Sequence, residues 1–389
     1  MQIATQKERC AGCTACASVC PVGAIQMQPD AQGFSYPHID ADKCITCHRC
    51  EKACYYVSGL PASTHSHVQE CYAAWRAQYA ARRVSQSGGI GAALAEHILA
   101  RGGIVYGAAF DEQFVVRHQR YTDIETAAAL RGAKYVQSDL EGIFQQVKTD
   151  IRGGGDILFF GTPCQIAGLK KFLAKEYENL WLVDLICHGV PSPRIWQEYL
   201  TWLTQQHRGE TLEVVRIRDP QFGWHSNQAN FCFRGKWFAS NDYNNLYGCG
   251  IMLRSTCYAC PFTNLTRMGD LTIGDCWGIE QVDPALDQAA GVSIVLANST
   301  RGKALFDALP DIVRHAIPIE KVRQPQLRYP TPRHPRSKEF WQDAAVLSMD
   351  KLLFRYVRGG YLGSLKRLLR PILGPVKRCL LRVWKHPYA

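Results

Sequence analysis

Cys10-Ala11-Gly12-Cys13-Thr14-Ala15-Cys16-Ala17-Ser18-Val19-Cys20-Pro21 has C-x2-C-x2-C-x3-C-P spacing, and the run Cys44, Cys47, Cys50, Cys54 repeats that spacing without the proline. Three thiolates on one tight loop reach three corners of a cubane, while the fourth, leading into a short helix, ligates the other cluster. The expected sets are therefore crossed. Cys10, Cys13, Cys16 and Cys54 hold one 4Fe-4S cluster, and Cys44, Cys47, Cys50 and Cys20 hold the second. Zinc is the competing reading, but zinc sites pair two Cys-x-x-Cys units and do not double a four-cysteine run. His48 lies inside the second motif, where four cysteines already suffice.

Outward from these loops, residues 1–60 are rich in Cys, Gly and Pro and short of apolar periodicity, so clusters must organise whatever core forms there. The 389 residues contain 17 cysteines. A long chain with no secretory start uses such cysteines for metal ligation and not for disulfides. Neither a signal-peptide pattern nor a run of about 18 apolar residues occurs, so a cytoplasmic chain that does not span a membrane is expected. Hydrophobic residues make up 47% and charged residues 20%, an ordinary globular balance that excludes disorder as the main state. Of the net charge of +11, ten positive charges and no negative ones lie in residues 351–389, which leaves +1 for residues 1–350. A nearly neutral body argues against a nucleic-acid groove and leaves the tail as a separate question.

Residues 70–330 alternate between strand and helix patterns. Ile104–Phe110, Ile157–Phe160 and Leu180–Ile186 read as strands, and Ile90–Leu99 and Pro193–Gln206 as helices. The stretch Asn230–Ser240 reads as a hairpin turning at Arg234-Gly235. Leu365, Leu368, Leu369, Ile372, Leu373, Val376, Leu380 and Trp384 recur at helical steps between basic residues, with Pro371 and Pro375 as breaks. The expected fold is mixed α/β (α+β in its segregation of parts). A small two-cluster ferredoxin-like domain (1–60) precedes a larger flavin-binding α/β domain (61–335) and a basic amphipathic helical tail (336–389).

Five further motifs occur in order: Ser85-Gln86-Ser87-Gly88-Gly89, Gly132-Ala133-Lys134-Tyr135-Val136-Gln137-Ser138, Gly161-Thr162-Pro163-Cys164-Gln165, Asp184-Leu185-Ile186-Cys187-His188-Gly189-Val190-Pro191-Ser192, and Cys257-Tyr258-Ala259-Cys260 with Gly274-Asp275-Cys276-Trp277-Gly278. Over about residues 70–330 the chain resembles the coenzyme F420 hydrogenase/dehydrogenase beta-subunit family. The resemblance implies FAD and a third 4Fe-4S cluster on Cys164, Cys187, Cys257 and Cys260. It also implies hydride exchange with coenzyme F420 or another organic substrate, as in relatives that reduce tetrapyrroles. From the residues alone, Cys164 and Cys187 each follow a strand, at the edge where α/β sheets gather ligands, although buried free cysteines are also common.

The flavin is expected on Ser85, Ser87, Gly88, Gly89, Lys134, Tyr135 and Ser138, with the turn before the Ile90 helix offering backbone donors and a helix dipole to a pyrophosphate. The run Gly89-Ile90-Gly91-Ala92-Ala93-Leu94 misses the dinucleotide fingerprint, so a Rossmann NAD site is not expected. Candidate substrate contacts are His188, Trp224 and His225. Cys71, Cys232, Cys249, Cys276 and Cys379 receive no role. Expected partners are a ferredoxin or other redox protein and a small-molecule substrate, with self-association left open. The competing functions are an electron-relay subunit without a substrate and a membrane-surface protein of cell-surface polysaccharide assembly. In the latter the basic tail would meet anionic lipid, against the alternative that it packs on the body.

Overall fold

The apolar runs Ile104–Phe110 (β4), Ile157–Gly161 (β6) and Leu180–Leu185 (β7) lie side by side and parallel, joined on the far side of β7 by Leu271–Asp275 (β11), also parallel. Buried on both faces, such strands carry little polar alternation. Antiparallel strands complete the sheet. Val116–Tyr121 (β5) pairs with β4, and Ser293–Ala297 (β12), Glu70–Arg76 (β3) and Ile312–Ala316 (β13) follow outward from β11. The order is β13-β3-β12-β11-β7-β6-β4-β5. These relations come from a computed structural model that describes residues 7–61, 70–322 and 324–359.

The helices Ile143–Arg152 and Pro163–Leu173 cover one face of the parallel strands through Phe144, Val147, Ile166 and Leu169. The helix Ile90–Leu99 covers the other through Leu94 and Ile98. A third core gathers Pro193–Gln206, the three-stranded sheet Leu212–Arg216 (β8), Ala229–Phe233 (β9) and Lys236–Ser240 (β10), and the helices Ser337–Asp343 and Met349–Tyr356. β9 and β10 form the expected hairpin, turning at Arg234 and Gly235, both with positive φ. The expected amphipathic stretch from Leu365 to Trp384 lies outside the described residues.

The cysteine-rich segment folds around a hairpin of Ile25–Pro29 (β1) and Ser35–Ile39 (β2) and two five-residue helices, Ala15–Val19 and Arg49–Ala53. Its internal repeat extends to the backbone. Gly12 (φ 69°) and Thr14 (φ 62°) flank Cys13, and Thr46 (φ 50°) and His48 (φ 57°) flank Cys47 in the same way. Left-handed residues on either side of a thiol curl the loop so that its N–H groups point inward, a concavity suited to an anionic centre. Holding three non-glycine residues there costs of order 1 kcal/mol each.

Candidate redox site

Cys10, Cys13, Cys16 and Cys54 lie within electrostatic reach of one another. Burial pushes the Cys13 thiol up to about 12, with Cys10, Cys164 and Cys54 adding to the shift. Burial raises Cys16 well above the usual thiol range, and Cys13, Cys10 and Cys54 raise it further. Cys20, Cys44, Cys47 and Cys50 line a separate small cavity with Ile25 and Ile45. The fourth cysteine of each run thus sits with the other run's first three. Cys20 Sγ accepts a hydrogen bond from Ala24 N at 3.3 Å, and Cys44 Sγ one from Thr46 N at 3.4 Å. His48 turns to Glu51 at 2.9 Å.

Cys164, Cys187, Cys257 and Cys260 form a third set. Burial raises the Cys187 thiol well above its ordinary range, followed by Cys257, Cys164 and Cys260. Burial carries Cys257 up to about 12 and Cys260 up to about 11. Local sequence explains the assembly. Thr162 caps the helix after β6, Pro163 starts it and Gln165 closes a capping box, which leaves Cys164 at the second helical position with its thiol 3.1 Å from Thr162 Oγ1. Partial positive charge at a helix start favours a thiolate there. Cys187 follows β7 directly, and Gly189 (φ 126°) admits the Cys257 loop, because a Cβ at 189 would lie 3.2 Å from Cys257 Cβ. Val190 N donates to Cys257 Sγ at 3.4 Å. Among the described residues no group of three or more His, Cys, Asp or Glu side chains closes on a single-ion position.

The first and third sets adjoin. Gly168 packs against Cys13, and buried Tyr55 stands between Cys13, Cys164 and Cys260, with its ring 4.7 Å from Tyr56 and 5.4 Å from Phe262. Tyr56 Oη lies 2.6 Å from Thr256 Oγ1, beside Cys257.

On the other side of Cys187 opens a cavity of about 360 Å3, within the range of small-molecule and cofactor sites. Ser85, Ser87, Gly89, Lys134, Tyr135 and Ser138 line it. Gly89 (φ 79°) caps the ten-residue helix Ile90–Leu99. Gly88 lies behind the turn, where its N–H donates to Ser293 Oγ and a Cβ would meet Ala74 O at 2.2 Å. Lys134 Nζ donates to Ala129 O at 2.8 Å and Arg131 O at 2.9 Å, and desolvation lowers its ammonium to about 7. Ser138 Oγ accepts from Gln165 Nε2 at 2.9 Å, which ties the cavity wall to the Cys164 helix.

A second cavity of about 590 Å3 shares the wall residues Tyr135, Ile186, His188, Tyr247 and Asp275. Tyr135 and Tyr247 stack at 4.3 Å, and His188 meets Tyr247 edge-on at 5.1 Å. Buried Arg218 pairs with Asp275 and donates to Trp224 O. Trp224 stacks behind Trp277 at 5.2 Å, and its indole donates to Asp287 at 3.2 Å, the carboxylate that His225 also meets at 3.2 Å. Of the three candidate contacts only His188 reaches the two cavities, while Trp224 and His225 support the Trp277 wall from outside. Cys71, Cys232 and Cys276 are buried apart from the thiol sets, Cys249 is exposed, and Cys379 lies outside the described residues.

Comparison with known proteins agrees with this arrangement. Residues 9–57 match the 4Fe-4S dicluster domain, and residues 154–321 match the C-terminal region of the coenzyme F420 hydrogenase/dehydrogenase beta subunit. The chain joins a 4Fe-4S dicluster domain to an F420 hydrogenase/dehydrogenase beta-subunit region. All eight N-terminal cysteines fall in the dicluster domain, and the third set falls in the beta-subunit region. Ser85–Gly89 and Lys134–Ser138 precede that match. A chain of the F420-reducing [NiFe] hydrogenase complex from Methanosarcina barkeri is similar at 17% identity and a TM-score of 0.43, over 75% of this chain and 93% of that one. The comparison with curated proteins gave no match. No helix among the described residues is long and apolar enough to cross a membrane.

Proposed function

We propose that this chain is an FAD-dependent iron–sulfur oxidoreductase acting on an organic substrate. The observation that carries the reading is the sequence of sites in space: two N-terminal thiol sets, a third set against the first, and a cofactor-sized cavity against the third. All donors in the three sets are thiols, and desolvation holds several of them above the usual range, so ligation would expel their protons. Bound there, 4Fe-4S clusters would supply one-electron carriers, and FAD in the 360 Å3 cavity would supply the conversion to two-electron chemistry.

The chain's own contribution is orientation. The start of the Ile90 helix and the turn Ser87–Gly89 offer N–H donors to a pyrophosphate, and Lys134 adds a donor on the opposite wall. Tyr135, Tyr247 and His188 form the partition between this cavity and the second one, so a molecule in the larger space would lie against the flavin site. That second space favours a substrate-converting enzyme over a bare relay. The test is anaerobic purification with iron, sulfide and flavin analysis, then turnover with reduced ferredoxin against coenzyme F420 and a panel of oxidised heterocycles. About twelve iron atoms and one FAD per chain with turnover of one compound are expected. Zinc in place of iron, or no releasable flavin after reconstitution, would overturn the proposal, and flavin reduction without turnover of any compound would leave a relay.

A further inference from the structure

Arg254 is completely buried, and among the described residues no carboxylate pairs with it. Its guanidinium donates through Nε to Cys10 O at 2.6 Å, through Nη1 to Gln137 Oε1 at 3.0 Å, and through Nη2 to Ser35 O at 2.9 Å, with Cys10 Sγ 3.6 Å away. The ring of Tyr36 lies 4.2 Å below it. Its backbone belongs to the third thiol set, since Arg254 N donates to Val190 O and Arg254 O accepts from Cys257 N, each at 2.9 Å. One residue therefore spans both sets. Its charge also acts in the direction that lowers the Cys164 and Cys257 thiols.

An isolated buried guanidinium costs several kcal/mol unless counter-charge lies close. Carbonyl dipoles and a π face supply part of that compensation. The remaining negative charge within reach is that of the ligating thiols. The approach is built in from the other side too: Gln137 Nε2 donates to Ala11 O at 3.0 Å, and a Cβ at Gly12 would lie 2.9 Å from Arg254 Nη1.

We infer that Arg254 is a positioning residue that locks the N-terminal cysteine module onto the larger domain and raises the reduction potential of the centre held by Cys10, Cys13, Cys16 and Cys54. The inference rests on reading those thiols as cluster ligands. A fixed positive charge stabilises the reduced, more negative state of an adjacent centre, and hydrogen bonds to ligand sulfur act in the same direction.

The test is an EPR-monitored redox titration of the anaerobically reconstituted full chain as wild type, R254K and R254Q. Cys47→Ser identifies the signal of the outer centre. In R254Q the signal of the Cys10 set is expected to shift by at least tenfold in its one-electron equilibrium, 59 mV toward lower potential. The outer signal should stay in place. R254K, which keeps the charge but loses the fork, should hold the potential within half that shift. It should also speed amide exchange in residues 10–20. Loss of the inner iron in R254Q with retention in R254K would equally support a required charge. Unchanged potentials in a fully loaded R254Q would overturn the inference, as would equal shifts of both N-terminal signals, or inner iron lost from both variants with the fold intact. A wild-type chain without iron would instead sink the functional reading on which it rests.

Discussion

Asp184 and Arg267 meet at 2.7 Å beneath the third thiol set, with side-chain exposures of 0% and 2%. The same carboxylate accepts from Thr272 Oγ1 at 2.6 Å, Met268 N at 3.1 Å and Gly269 N at 2.8 Å. Arg267 in turn donates to Phe262 O at 2.8 Å, two residues beyond Cys260. The pair therefore ties β7, which ends at Cys187, to the segment leaving Cys260. Removing one partner strands a buried charge, so R267M should cost about 3–5 kcal/mol. Urea denaturation should show a lower midpoint at unchanged m-value, and a variant as stable as wild type would remove the pair from the structural account.

Gly168 is a second place where a small change reaches the sites. Replacing a mid-helix glycine by alanine ordinarily stabilises by about 1 kcal/mol. Here the added Cβ would lie 2.7 Å from Cys13 Cβ and 2.8 Å from Cys13 Sγ. Overpacking of that kind costs about 1–3 kcal/mol. G168A should therefore lower the melting temperature and the iron retained after gel filtration. G153A, at the end of the neighbouring helix Ile143–Arg152 and with only ordinary or slightly tight neighbours, serves as the comparison.

Periodicity made the central strands and the helices Ile90–Leu99 and Pro193–Gln206 legible, because long apolar runs and Ser-Pro or Gly starts carry their own boundaries. The crossed N-terminal sets were legible from spacing alone, since a tight loop can reach only three corners of a cubane. The third set was not, because Cys164, Cys187 and Cys257 are joined only by the order of strands in the sheet, and only the resemblance implied it. Arg254, Gln137, Tyr55 and Arg267 gave no local signal at all. Each acts through a partner more than 80 residues away, and a lone arginine before a Cys-x-x-Cys looks like any surface charge. Gly88 and Gly89 show the converse, as one glycine-rich turn divides its residues between sheet packing and the cavity.

His118 lies on the cavity wall with 5% exposure, stacked on Phe159 at 5.3 Å, and Nε2 donates to Phe160 O at 2.9 Å. Burial lowers its pKa from 6.5 to about 4. A folded-state pKa below the unfolded one means that folding favours the neutral ring. The contribution is fully present above pH 6.5 and is lost as pH falls toward 4, amounting to about 3 kcal/mol at its full extent. Urea stability measured from pH 7.5 to 4.5 should therefore fall more steeply for wild type than for H118F. Parallel slopes would show that the ring is not held neutral by the fold.

His188 is the one proposed substrate contact that stands between both cavities, and its hydrogen bonds fix its form. Gln326 Nε2 donates to Nδ1 at 3.2 Å, while Thr331 Oγ1 donates to the His188 carbonyl. Burial lowers the imidazole pKa, so the neutral ring predominates near pH 7. With Nδ1 accepting, the proton resides on Nε2, which has no partner among the described residues. A lone N–H on this partition is suited to donate to a carbonyl or ring nitrogen of a substrate in the 590 Å3 cavity. Loss of such a group in H188L should lower kcat by about 10²-fold or more, with flavin and iron contents unchanged. H188Q, which keeps an N–H donor, should recover part of that rate. Because Cys187 is its neighbour in the chain, iron analysis must accompany the kinetics: a rate loss that tracks iron loss would make His188 a support for the third set and not a contact to substrate.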